Sequence, residues 1–547
     1  MLALNKIAIG EGLEDINQLR QDSTVVETNI HYPTNNSLVG DCIKDSHRLL
    51  SQLAEEGIDL DYRDESPEMG KYGPVTSTPG IDRLTAWHQI EAGLKEFLKL
   101  TYLLVNPFFL LTQLIGKFTI SIQCVMNKKI IFAGCLSVIA AGGLLSFEII
   151  KKEDTGKYKA EAVNAGLTLP QGFKAVAIAD NLGSARHLAV TPKGDIYVHL
   201  GGLKNGKGIV VLHDNGDKAG IKTSFGAFAG TGICIKNGYL YASSDHDVFR
   251  YKLNSNEEVI DPEHPEKIVG NLVTKRMHQA KAIALDNKGY LYVNIGAYSN
   301  ICSEYDSQKK GCPVLDSAAG IWRFKADKLN QTQNDGIRYA TGLRNVVGLD
   351  WNQQDNQLFV MQHGRDALHD LFPKLYTVQQ SALLPAECMY ALKEGDNAGW
   401  PYLYFDDVKH KKIQGPEYGG DGGKEADAKY INPVAAYPGH LAPDGLLFYT
   451  GNQFPEKYKN GAFIAFHGSW NRAPEPQAGY FVVFQPFKNG RPAGKWEVFA
   501  DGFAGTPEQK ASGLAEHRPC GLAQGPDGSL YVSDDNKGTI YKITYKK

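Results

Sequence analysis

The sequence predicts an all-β protein folded as a six-bladed β-propeller, and three observations lead to that class. Its 58 glycines and 27 tyrosines against 6 methionines call for many tight turns between short aromatic-rich strands. From about residue 167 to the end, a unit of two strands joined by a Gly, Asn or Asp turn recurs six times. Six copies of a unit that cannot bury its own apolar face make a core by stacking radially; the competing class is a β-sandwich with incidental similarity. Hydrophobic residues at 42%, charged residues at 22% and a net charge of −3 fit a soluble globular chain and exclude a disordered or strongly nucleic-acid-binding one.

Residues 1–125 form a first segment, mixed and partly helical in pattern, ending in an apolar stretch over 103–120 that Pro107 and Lys117 interrupt. Such a stretch makes a poor membrane span. Met126, Asn127, Lys128 and Lys129 then lead into an uncharged apolar run over 130–147. A basic start followed by an apolar run is the layout of a secretory signal, here displaced into the chain. Targeting machinery reads an emerging N-terminus, so the pattern points to Met126 as the working start and to a periplasmic or exported product. The alternative is an internal membrane anchor through 130–147, and cleavage is left open. Residues 126–150 are therefore read as signal peptide or anchor, and 160–547 as the propeller.

Within the propeller the hairpin units read HLAVTPKGDIYVHL at 187–200, GICIKNGYLYASSDHDVFRYKL at 232–253, and AIALDNKGYLYVNIG at 282–296. Further units begin at Val347, Gly445 and Gly521. The eight cysteines include no CxxC pair, which sets aside sulfur-held metals and attached haem. Cys302 and Cys312 lie in a polar segment that closes as a disulfide loop in an oxidising compartment, or stays as two free thiols. Polar residues that strand and turn do not need gather in the connections: Met277–Gln279, Thr341–Asn345, Gln362–Asp366, Gly395–Pro401, Gly439–Pro443, His467–Arg472 and His517–Pro519. Placed before inner strands, they converge on one end of the channel. A histidine base among arginines suits an anionic ligand and proton abstraction. Trp400 and Trp470 in these runs read as core or as stacking platforms.

The segments ATGLRNVVGLDW, GDNAGWPY, HLAPDGLLFYTGNQFPEKYKNGAFIAFHGSWNR and RPCGLAQGPDGSLYVSDD resemble the glucose/sorbosone dehydrogenase family, six-bladed propellers that oxidise sugars with pyrroloquinoline quinone (PQQ) and calcium. HGSWNR looks closest to the sorbosone branch. The resemblance implies a periplasmic oxidation of a sugar, sugar aldehyde or polyol, with electrons passed to a respiratory quinone or cytochrome. It implies His278 as general base, Arg344 against the quinone oxygens, Asn345 as a cofactor contact, and Arg518 paired with a PQQ carboxylate. Gly364 and Arg365 would offer backbone carbonyls to calcium, and His440 and Arg472 further cofactor contacts. Gly296-Ala297-Tyr298-Ser299 and Gly230-Thr231-Gly232 depart from the glucose enzymes, and Cys520 replaces a second cofactor arginine, so glucose itself is not implied. A calcium-dependent sugar lactonase and a non-enzymatic carbohydrate-binding propeller stand as alternatives.

Residues 21–50 resemble the start of insertion-sequence transposases with an acidic DDE triad, which would make Asp22 the first metal-binding aspartate. A two-metal site needs several converging carboxylates. The segment is therefore read as a remnant without activity. No basic run supports a DNA-binding module.

Overall fold

The second strand of each hairpin unit is apolar on both faces, and that decides where it sits. Asp195–Lys204 buries its first six residues, and Leu530–Asp534 is buried along its whole length. A strand covered on both faces lies inside a stack of sheets, not at a surface. The computed structural model describes residues 163–305 and 311–546, all within one compact unit, Glu161–Lys547. There these strands are second in six antiparallel blades of four strands; two blades add a two-residue parallel strand, Gln331–Thr332 and Asp396–Asn397. The expected propeller is what forms. Asp22, Met126 and the apolar run 130–147 lie outside the described residues. Among the described residues no helix is long and apolar enough to cross a membrane.

The innermost strands are Ala185–Val190, Ile233–Lys236, Ile283–Leu285, Val346–Asn352, Pro443–Phe448 and Pro519–Gln524. Each packs on the next, and the sixth packs on the first. The ring is fastened by the chain's own ends, because Phe173–Ala179 pairs antiparallel with Ile540–Tyr545 in the sixth blade. Aromatic rings fill the wedge beside that closure, where Phe173 meets Phe454 and Phe499 edge to face at 4.8 and 4.9 Å.

Four inner strands break register near their start: between Ala185 and Leu188, Val346 and Leu349, Pro443 and Gly445, and Pro519 and Leu522. A bulge re-aims the side chains it contains, and Arg186 and Asp444 stand in two of them. Glycine makes the close approach there tolerable: a β-carbon on Gly445 would lie 2.3 Å from the Cys520 carbonyl oxygen, and one on Gly521 2.6 Å from that of Arg186. In an antiparallel four-stranded blade, the connection into the first strand and the one from second to third share an end. That shared end carries the polar runs singled out from the sequence. In the third blade its second connection holds a Cys302–Cys312 disulfide, with a Cα–Cα distance of 5.9 Å.

Candidate functional site

His278 lies in the approach to the third inner strand with φ of +51°, a left-handed backbone that a β-carbon resists. Its Nδ1 bonds the Ala297 carbonyl oxygen. A carbonyl only accepts, so Nδ1 carries the proton and Nε2 keeps its lone pair. The Ala297 N–H in turn donates to the Arg344 carbonyl at 2.7 Å, so a single residue ties His278 to Arg344. A β-carbon at Gly296 would lie 2.6 Å from His278 Cβ and 2.9 Å from Asn345 Oδ1, which explains the glycine before it. Burial first, then the Arg344 charge, pull the His278 pKa down to about 3 and keep the imidazole neutral.

Arg344 is buried, and all three of its nitrogens are engaged. Nε donates to the Asn300 carbonyl at 3.2 Å, Nη1 to that of Gly364 at 2.8 Å, and Nη2 to Asp366 Oδ2 at 2.6 Å. Asp366 also accepts from Asn471 Nδ2 at 2.6 Å and lies 3.5 Å from His440 Nδ1. Asn300 clamps the Asp366 backbone, accepting its N–H at 2.9 Å and donating to its carbonyl at 3.1 Å. Burial would raise the Asp366 carboxyl, but Arg344 and His440 outweigh it and hold it well below the usual range. His440 answers in kind: burial lowers it, Asp366 and Glu387 raise it more, and the net shift is upward.

The other expected residues divide between these groups and separate ones. Asn345 is buried behind Arg344, its Oδ1 3.5 Å from Asn294 Nδ2. The Gly364 N–H donates to Glu387 Oε2 at 3.0 Å, while its carbonyl is already taken by Arg344. The Arg365 side chain turns to an ion pair with Glu417 at 2.5 Å, and its Nη2 is buried without a hydrogen-bond partner. Arg472 donates to the carbonyls of Ala382 at 2.7 Å and Pro476 at 3.0 Å. Arg518 donates to those of His467 at 3.2 Å and Gly468 at 2.5 Å. Among the described residues neither Arg472 nor Arg518 forms an ion pair, so their donors are partly satisfied and their charges are not. The two tryptophans part company: Trp400 is buried and donates from Nε1 to the Asn300 carbonyl at 2.9 Å, whereas Trp470 is 52% exposed.

Several residues carry weight that the sequence did not reveal. Asp366 and Asn471 stand in runs that were singled out, and Asn300 stands outside them; none of the three was given a role. On neighbouring blades Arg186 bonds Asp535 at 2.7 Å and Asp444 at 3.2 Å. His467 joins Asp535 at 2.7 Å, and His363 joins Asp444 at 3.2 Å. Burial works against both carboxylates, yet the cations hold Asp535 down to about 2 and Asp444 lower still.

With this geometry in view, the profile of the TrAA12-like family matches residues 167–403 and 414–546, more than half of the chain. The chain belongs to the TrAA12-like family. Among relatives of this TrAA12-like chain, an uncharacterised protein of Borreliella burgdorferi is 27% identical over 405 residues, covering 71% of this chain and 93% of the relative. The pyrroloquinoline quinone-dependent pyranose dehydrogenase of Coprinopsis cinerea is 27% identical over 288 residues, 46% of this chain and 37% of that protein. In structure, the holo form of the PQQ domain of that Coprinopsis pyranose dehydrogenase superposes with a TM-score of 0.56 at 19% identity, covering 69% of this chain and 97% of that domain. At that identity the likeness shows the TrAA12-like chain to share the six-bladed fold.

Proposed function

We propose that the propeller is a PQQ- and calcium-dependent dehydrogenase that oxidises a sugar, sugar aldehyde or polyol and passes the electrons to a respiratory quinone or cytochrome. The observation that carries this reading is the joining of His278 and Arg344 through Ala297, which sets a neutral imidazole with a free Nε2 beside a fixed guanidinium. PQQ is a multiply charged carboxylate, and Arg472 and Arg518 are cations whose side-chain hydrogen bonds among the described residues run to carbonyl oxygens. They fit its carboxylates, with His440 and Asn345 as neighbouring contacts. When bound, PQQ supplies the acceptor for the hydride that leaves the substrate carbon.

What the chain supplies is the proton chemistry and the field. His278 Nε2 takes the proton of the substrate hydroxyl, and Arg344 stabilises negative charge developing nearby. With an anion bound, the Arg344 share of the downward pull on His278 would be offset, while burial, the larger cause, would remain. Calcium is assigned to the carbonyl oxygens of Gly364 and Arg365. The first of these already accepts from Arg344, so the ion would share it. A calcium lactonase needs several acidic side chains converging on the ion, and among the described residues no three His, Cys, Asp or Glu side chains do so.

Export from Met126 and a non-functional remnant over residues 1–125 remain part of the proposal; of these, only export to an oxidising compartment draws support from the Cys302–Cys312 disulfide. Protein expressed without cofactor and then given PQQ and calcium together is expected to gain dye-linked oxidation on a panel of aldoses, ketoses and polyols. No gain with any of them, together with hydrolysis of sugar lactones, overturns the reading. Deleting residues 1–125 is expected to leave exported activity intact, and its loss would defeat the remnant.

A further inference from the structure

Five tryptophans fall among the described residues, and four have found a packed or partly packed place. Trp322, Trp351 and Trp400 are buried, and Trp496 stacks on Phe481 with centroids 6.4 Å apart. Trp470 is 52% exposed, and no aromatic ring of the described residues packs on it. A large apolar ring left in water is informative where the backbone gives it no freedom to hide. Here the backbone is pinned on both sides. The Ser469 N–H donates to the Ala478 carbonyl at 2.8 Å and its hydroxyl to Gln477 Oε1 at 2.7 Å. Beyond Trp470, Asn471 reaches Asp366 at 2.6 Å and the Arg472 N–H donates to Gln477 Oε1 at 3.3 Å.

Those anchors also give the ring its address. The carbonyl before Ser469 receives Arg518, and the residue after Trp470 holds the carboxylate that holds Arg344. The indole therefore projects from a fixed stretch of chain strung between the two arginine groups of the site. Its π face is electron-rich, and a cyclic sugar carries a flat patch of weakly positive C–H groups, while its hydroxyls suit the polar rim. An open-chain polyol has no such patch.

Resting on the dehydrogenase reading, we infer that Trp470 is the stacking platform for the substrate ring and selects cyclic saccharides over open-chain polyols. The test uses the full chain loaded with PQQ and calcium, comparing wild type with Trp470→Ala and Trp470→Phe on an aldopyranose and on sorbitol. Trp470→Ala is expected to raise KM for the pyranose roughly tenfold, with kcat moving less than twofold, and to leave KM for sorbitol unchanged. Trp470→Phe should recover most of the loss. Equal changes for both substrates, or none for the pyranose, overturn the inference. A second readout is independent of turnover: titrating cofactor-free wild type with the pyranose should shift its tryptophan emission, and Trp470→Phe should abolish the shift. If the loaded wild type oxidises nothing, the dehydrogenase reading fails. The emission titration then decides the platform alone, absence of a Trp470-dependent shift counting against it.

Discussion

Arg344 and Arg518 are the same side chain in two different settings within one site. Arg344 is saturated: every nitrogen has an acceptor, and Asp366 balances its charge. Arg518 donates to backbone carbonyls and, like Arg472, has no carboxylate partner among the described residues. Carbonyls satisfy donors without neutralising charge, so these half-buried cations stay open to an incoming anion. The difference teaches a division of labour. On the Arg344 side the protein fixes its own geometry before any ligand binds, as a chemical step requires; on the Arg518 side it keeps attraction in reserve, as anchoring an anion requires. Substitutions on the first side should therefore strike turnover, and on the second side affinity.

The strongest way to break this contrast is at His278. Replacing it with glutamine removes the free Nε2 and should lower turnover by roughly 10²- to 10⁴-fold, the usual worth of a positioned proton acceptor, with PQQ affinity nearly unchanged. Stopped-flow dye reduction alongside a cofactor titration reads both. Wild-type turnover would remove His278 from the chemistry. Arg344→Ala comes next, at about 10²- to 10³-fold in turnover, with a loss of affinity as well because the guanidinium acts in bound and reacting states. Arg344→Lys should recover only part, since a point charge cannot serve Asn300, Gly364 and Asp366 together. Full rescue by lysine would show that geometry at this position does not matter. On the other side, Arg518→Gln is expected to weaken PQQ binding by roughly 10- to 100-fold while saturated turnover holds within a few fold. A change confined to turnover would reverse the assignment of the two sides.

How much of this was open to sequence reading follows from the range of the interactions involved. The second strands were legible because their apolar runs and turns are local, as in DIYVHL and GSLYVSDD. The fourth strand Ala435–Tyr437 is three residues long and carries no periodicity to find. Cys302 and Cys312 are ten residues apart and were read as a pair, whereas Arg186 meets partners 258 and 349 residues away through ring closure. Nothing local in the text of Arg186, Asp444 or Asp535 encodes that meeting. Trp400 and Trp470 were indistinguishable as letters; a donor bond to Asn300 in a packed cluster and a pinned, open loop separate them only in three dimensions.

The last and smallest effect concerns stability and sharpens the same contrast between compensated and uncompensated groups. His199 is fully buried in the first blade, with Nδ1 3.1 Å from the Gly232 carbonyl and Nε2 without a partner. Burial leads in pulling its pKa from 6.5 to about 4, so the folded protein keeps it neutral where the unfolded chain protonates it. Between these two values the unfolded state binds more protons, and stability is lost as pH falls from about 6.5 toward 4. Taking the chain from pH 7 to pH 5 should cost about 2 kcal/mol from this residue alone. His363, whose raised pKa works in the opposite direction, is present in both proteins of the comparison and cancels. Urea unfolding of wild type and His199→Gln at the two pH values isolates the difference, the variant losing about 2 kcal/mol less on acidification. An equal acid loss in both would mean that His199 finds a proton and a partner in the folded channel, and that the buried nitrogen is compensated after all.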